Sequence, residues 1–270
     1  MNILEEIAER TRERIREEKR RLPLGELRRQ AEERGGRGSH AFRGALKSPG
    51  LSFICEVKKA SPSKGVIARD FPYLDIAREY EAAGASAVSC LTEPFYFQGK
   101  DEFAREIAET VKIPLLRKDF TVDEYMVYQA KAMGAAAILL ICAILDDGQL
   151  AAYSQLAGEL GMDALVETHT AGEVERAIRA GAPVIGINNR DLKTFQVDLE
   201  AGLKLRDMIP ADRVFVSESG IHSEDDIKKL IQCRADGALI GERLMREPDK
   251  KGLLERWRNL DRDYKSSRSG

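Results

Sequence analysis

Between residues 51 and 240 the sequence repeats one pattern eight times: a short run rich in Val, Ile and Leu, then an amphipathic stretch with helical spacing. The runs are LSFICEV (51–57), SAVSCL (86–91), PLLRK (114–118), AAILLI (136–141), DALVE (163–167), PVIGIN (183–188), RVFVS (213–217) and GALI (237–240). They recur about every 27 residues, enough for one strand, one helix and two short loops, which suits parallel pairing. The gaps carry helical periodicity, as in YLDIAREYEAAG (73–84), DEYMVYQAKAMG (123–134), AGEVERAIRAG (171–181) and SEDDIKKLIQC (223–233), and Gly84, Gly134, Gly161 and Gly181 fall where helix ends belong. Eight such units predict an α/β fold of the closed (β/α)8 type. An open doubly wound sheet also alternates strand and helix, but eight units this even, with no GxGxxG after the first run, favour closure.

Composition sets limits on partners. Of 270 residues 43% are hydrophobic and 33% charged, too apolar for disorder, and no window holds about 18 uncharged apolar residues, so no membrane partner is expected. Forty-three Lys+Arg against 45 Asp+Glu give a net charge of −2, with no global field to recruit nucleic acid; an anion must be bound locally. Residues 1–47 differ, with 13 Lys+Arg against 9 Asp+Glu, a charge of +4 that leaves −6 for the remainder. There Ile3, Ile7 and Ile15, with Glu6/Arg10 and Glu17/Arg21 four residues apart, predict a charged helix with a narrow apolar stripe. A second helix is expected from about Pro23 to the GGRG at 35–38, which reads as a mobile linker. The division expected is an N-terminal helical extension (1–47) packed on the barrel, a catalytic barrel (48–262) and a disordered tail (263–270). Cys55, Cys90, Cys142 and Cys233 lack CxxC spacing and read as small buried hydrophobes, while three His residues argue against a metal cluster. The N-terminus has no secretory h-region, so a cytoplasmic location is expected; the expected state is a monomer.

Buried parallel strands should be apolar throughout, so polar residues at their carboxyl ends, where barrel sites lie, are informative. Period two sends Glu56 and Lys58 into the mouth after Ile54, Lys118 after Leu116, Glu167 after Leu165, and Asn188 and Arg190 after Gly186. One such residue could be a structural ion pair; six converging on one rim point to function. Phosphate signals stand after the seventh and eighth runs: Ser219 and the Gly220 amide in SESGI, and Gly241 opening a short helix in IGERLM. Ser61 in SPSKG could add a hydroxyl, and Glu242 should turn only its backbone N–H inward. In the loop after the second run, Phe95, Tyr96 and Phe97 read as a lid or loop core before a ligand platform, with Phe120 placed to complete an apolar wall.

The strings CEVKKASPSKG, LTEPFYFQG, LLRKDF, LVETH, GINNRDL, SESGI and LIGERLM, in order and one per strand, resemble the indole-3-glycerol-phosphate synthase family of tryptophan biosynthesis over about residues 3 to 260. The resemblance implies ring closure of 1-(2-carboxyphenylamino)-1-deoxyribulose 5-phosphate with loss of CO2 and water, without metal or organic cofactor. It makes Lys118 the general acid at the ribulose C2 oxygen and Glu167 the base of the later proton removal. Lys58 becomes the second catalytic lysine, acid for dehydration or anchor for the substrate carboxylate, with Glu56 orienting it. Asn188 and Glu218 would hold the ribulose portion, with Ser219 near the ring-closing end. Ser61, Arg190, Gly220, Gly241 and the Glu242 amide would take the phosphate, and Phe97, Phe120, Leu139 and Leu239 would line the apolar part. Ala60 and Asn189 stand at positions that vary within the family. A lysine serves as an acid near neutral pH if desolvation and a second cation lower its pKa from about 10.4. Lys58 would supply that cation to Lys118, whereas Glu56 and Glu167 would work the other way. The alternatives are another sugar-phosphate barrel lyase or isomerase, a Schiff-base aldolase using Lys118 or Lys58, and a binding protein working through its basic N-terminus.

Overall fold

The computed structural model describes residues 2–34, 39–191 and 195–268, so the linker expected at 35–38 lies outside the described residues. Eight parallel strands, β1 (Ser52–Val57), β2 (Ala87–Leu91), β3 (Leu115–Lys118), β4 (Ala137–Ile141), β5 (Asp163–Thr168), β6 (Val184–Asn188), β7 (Val214–Glu218) and β8 (Gly237–Ile240), form a closed barrel. Each pairs with its sequence neighbours, and β1 closes the ring against β8, with Ser52 opposite Gly237 and Ile54 opposite Leu239. A two-residue ribbon, Ala60–Ser61 against Gly65–Val66, shapes the loop after β1.

Alternation along the strands builds two cores. Ile54, Leu116, Leu139, Leu165, Val216 and Leu239 fill the barrel, while Phe53, Cys55, Val57, Leu115, Leu140, Val166 and Phe215 pack outward against the helices. The connecting helices are α4 (Tyr73–Ala82), α5 (Asp101–Thr110), α6 (Glu124–Met133), α7 (Asp147–Glu159), α8 (Ala171–Arg179), α9 (Leu199–Leu203), α10 (Glu224–Gln232), α11 (Glu242–Met245) and α12 (Lys250–Arg268). Gly134, the C-cap of α6, has φ 87°, a conformation that costs glycine little and a side-chain-bearing residue more. The boundary expected at 262 falls inside α12, because Leu260 and Tyr264, four residues apart, both pack on the outer core and carry the helix on. None of the described helices is long and apolar enough to cross a membrane.

Before the barrel come α1 (Ile3–Arg21), α2 (Leu24–Glu33) and a helix that periodicity did not reveal, α3 (Ala41–Leu46). Asn2 and Glu5 make a reciprocal capping box at the start of α1. α1 brings Leu4 and Ile7 onto the inner core near the mouth, and α2 packs Leu27 and Ala31 against Tyr125, Met126 and Tyr128 of α6. α3 closes the opposite end, with Phe42 and Leu46 buried at 0% and 1% exposure. Burying two such side chains contributes about 3–6 kcal/mol, which holds a six-residue helix that would not persist alone. Asp163, at the first position of β5, fixes it by accepting the Arg43 amide at 2.8 Å and facing His40 Nδ1 at 3.1 Å.

Candidate active site

At the carboxyl ends of the strands the polar side chains converge on one cavity. Glu56, Lys58, Lys118, Glu167, Asn188, Arg190, Glu218 and Ser219 line it, together with Ser61, Gly220, Gly241, Glu242, Phe97, Phe120, Leu139 and Leu239. These sixteen residues, the ones to which the resemblance gives a role in the site, therefore line one cavity. Sequence reasoning did not place Ile3, Leu4 and Ile7 of α1 there. Their apolar stripe showed that a face is buried, not what it is buried against.

Lys118 ends β3 between two carboxylates, its Nζ 3.2 Å from Glu167 Oε2 and 3.1 Å from Glu218 Oε2. Burial opposes charge on this lysine, but Glu218, Glu167 and Glu56 outweigh it and raise its pKa above the ordinary lysine value. The lowering that a nearby cation would bring is thus reversed: three carboxylates set the balance, and Lys118 is fully protonated at neutral pH. Burial likewise opposes charge on Glu167, yet Lys118, His169 and a hydrogen bond from Asn188 hold its carboxyl below the usual carboxylate range. Glu218 behaves oppositely, because burial outweighs Lys118 and the nearby Glu167 adds to it, pushing its carboxyl up to about 7. Two carboxylates on one lysine thus have different proton affinities, a division of labour typical of acid–base sites. Lys58 Nζ lies 2.5 Å from Glu56 Oε1 across from this triad.

The end of the cavity where the sequence carries its phosphate signals is shaped by backbone. Ser219 and Gly220 have φ of 67° and 79°, and the Ser219 carbonyl accepts from Asn189 Nδ2 at 2.9 Å. Asn189 also donates to Ser217 Oγ and the Glu218 carbonyl, so a residue set aside as variable clasps the β6 and β7 loops together. A Cβ at Gly241 would sit 2.3 Å from Glu56 Oε1 and 2.9 Å from Lys58 Nζ, so a side chain there would push that ion pair aside. The Glu242 carboxylate turns to Arg246 at 3.2 Å and Lys64 at 3.9 Å.

The aromatic loop divides by role. Glu93, fully buried, accepts the amides of Phe95, Tyr96 and Phe97 at 2.9, 2.7 and 3.0 Å and so fixes the turn. Phe97 reaches the cavity beside Phe120, with ring centroids 6.2 Å apart. Phe95 and Tyr96 lie instead under Arg10 of α1, and the Tyr96 hydroxyl donates to Glu6.

A closed parallel barrel with a half-enclosed mouth of paired lysines and carboxylates over an apolar floor defines the class: a (β/α)8-barrel enzyme acting on a small molecule. Comparisons with known proteins narrow it. The family model for indole-3-glycerol phosphate synthase matches residues 4–256. The indole-3-glycerol phosphate synthase of Lachnoclostridium phytofermentans is 46% identical over 269 residues, covering 96% of this chain and 99% of its own. That of Lacticaseibacillus casei is 50% identical over 252 residues, covering 93% and 97%. The chain belongs to the indole-3-glycerol phosphate synthase family, lyases of tryptophan biosynthesis. Among solved structures, a thiamine phosphate pyrophosphorylase from Pyrococcus furiosus superposes with a TM-score of 0.62 at 16% identity, covering 82% of this chain and 98% of its own, a likeness of fold alone.

Proposed function

We propose that this mouth closes the indole ring of 1-(2-carboxyphenylamino)-1-deoxyribulose 5-phosphate with loss of CO2 and water. The carrying observation is Lys118 held cationic between Glu167 and Glu218, beside an apolar wall that suits a benzene ring. As the ring carbon bearing the carboxyl group bonds to C2, Lys118 gives its proton to the C2 oxygen; the bond to the carboxyl group then breaks, CO2 leaves, and the electron pair of that bond stays behind to restore the aromatic ring. The C2 hydroxyl then departs as water, with Lys58 as its acid, oriented by Glu56, and Glu167 takes the proton lost in forming the double bond. Asn188 and Glu218 hold the ribulose portion, with Ser219 beside them. Ser61, Arg190 and the amides of Gly220, Gly241 and Glu242 receive the phosphate. Phe97, Phe120, Leu139 and Leu239 face the aromatic ring. Residues 1–47 complete the barrel without a core of their own, and the protein works as a cytoplasmic monomer. A Schiff-base role for Lys118 is disfavoured, since an ammonium paired with two carboxylates is no nucleophile.

Conversion of the carboxyphenylaminodeoxyribulose phosphate to fluorescent indoleglycerol phosphate by the purified protein tests the reading. Lys118→Ala should lower kcat by about 10² to 10⁴-fold while substrate still binds. Turnover retained in Lys118→Ala, or inactivation by borohydride only when substrate is present, would overturn the assignment.

A further inference from the structure

Behind Glu167, outside the ring of side chains that line the cavity, lies His169. It is two residues further along the chain, so it projects to the same side. Its Nε2 stands 3.6 Å from Glu167 Oε1, the oxygen that Lys118 does not use, and its Nδ1 stands 3.4 Å from Glu173 Oε2. Glu173 is itself fixed, accepting the His169 amide on that same oxygen at 2.7 Å in the first turn of α8. His169 Nε2 is buried and makes no hydrogen bond; at 3.6 Å the Glu167 carboxylate it faces is an ion-pair partner.

An imidazole with a carboxylate at each nitrogen is suited to carrying both protons. Burial opposes its charge, but Glu173, Glu167 and Glu218 prevail and hold its pKa above the ordinary histidine value. The base is therefore bracketed by two cations. During the reaction they become unequal, because Lys118 gives up its proton in the first step, before Glu167 has acted. Resting on the assignment of Glu167 as base, we propose that His169 is a positioning residue: an imidazolium shared with Glu173, it fixes the second oxygen of Glu167 and keeps the carboxylate ionised after Lys118 has discharged. The other groups facing Glu167 are Glu218 from β7, Asn188 from β6 and the Cys142 thiol, which burial pushes up to about 12 and so leaves neutral. Glu56 and Lys58 stand across the mouth, and Arg176 lies behind Glu173.

The test compares pH profiles of kcat for the full-length protein and its His169→Ala, His169→Gln and Glu167→Gln variants. His169→Ala should leave KM within about twofold, lower kcat about tenfold, and move the acid limb of kcat up by about one pH unit, as expected for losing a cation within contact of the base. His169→Gln keeps a donor without the charge, so it should recover kcat more than it recovers the limb. If the limb stays in place in both variants while Glu167→Gln is inactive, His169 is structural and the inference falls, with the base assignment intact. If Glu167→Gln keeps full kcat, the base assignment fails first. Should His169→Ala not fold, the limb of His169→Gln decides the question.

Discussion

Glu218 protonates at about 7 in the folded protein and near 4.5 in the unfolded chain, because burial and Glu167 disfavour its charge. Between those values the native state binds more protons than the unfolded state, so the stability owed to Glu218 falls as pH rises through the window. His169, also raised from 6.5, acts in the same direction: its contribution is present below that value and lost as pH climbs through the folded one. Glu167, lowered from 4.5, adds a constant term there. Glu218→Gln should therefore stabilise the protein by about 1–2 kcal/mol at pH 8 and little at pH 5, while kcat falls. Thermal melts at the two pH values check this; an equal effect at both would contradict it. At this scale the sequence was informative about position and poor about charge state. Period two placed Lys118 and Glu167 at the mouth correctly, but the sign of the lysine shift depends on Glu218, 100 residues later in the chain, and on Glu56, 62 residues earlier. The same periodicity that leads from Glu56 to Lys58 leads from Glu167 to His169, a signal present in the string and not taken up.

Among the elements, α1 ties the mouth to the wall. Arg14 donates to both oxygens of Asp119, at 3.1 and 2.9 Å, and that buried carboxylate also accepts from Thr92 at 2.7 Å and from the Phe120 amide at 2.8 Å. Asp119 follows Lys118 directly, so the helix that carries Ile3, Leu4 and Ile7 to the cavity is anchored next to the proposed acid. Arg14→Met leaves Asp119 with Thr92, Arg117 and one amide, and should destabilise by about 1–3 kcal/mol, lowering Tm by several degrees. KM should rise as well, because the apolar wall loosens; a lower Tm with unchanged KM would make α1 a scaffold only. The strands were legible because a strand buried on both faces reads as one apolar run, bounded by charge or turn. α3 was not, since AFRGAL is shorter than two helical turns and the strands it packs on, β2 and β5, lie far along the chain.

Over the whole molecule, the charge asymmetry has a local explanation. The cations of residues 1–47 meet acids of the barrel, as in Arg14–Asp119, Lys19–Asp123, Arg28–Glu124 and Arg34–Glu109, which is why a basic segment need not imply a nucleic-acid partner. Closure has the wider effect. β1 finds one neighbour, β2, soon after it, but its other neighbour is β8, at the far end of the chain. A fragment ending at residue 236 lacks β8 and so leaves edges of β1 and β7 unpaired. It should self-associate on size-exclusion chromatography and bind no inorganic phosphate, and a monomeric, phosphate-binding fragment would contradict this. The same order holds during synthesis. A ribosome makes β1 before every other strand of the barrel, and that strand waits with one edge open until β8 has been translated; Leu239 lies on the strand that shuts the ring and Gly241 directly follows it. The barrel is thus without its pocket until that closure, and competence comes in a single event, when the strand of the barrel made first meets the one made last.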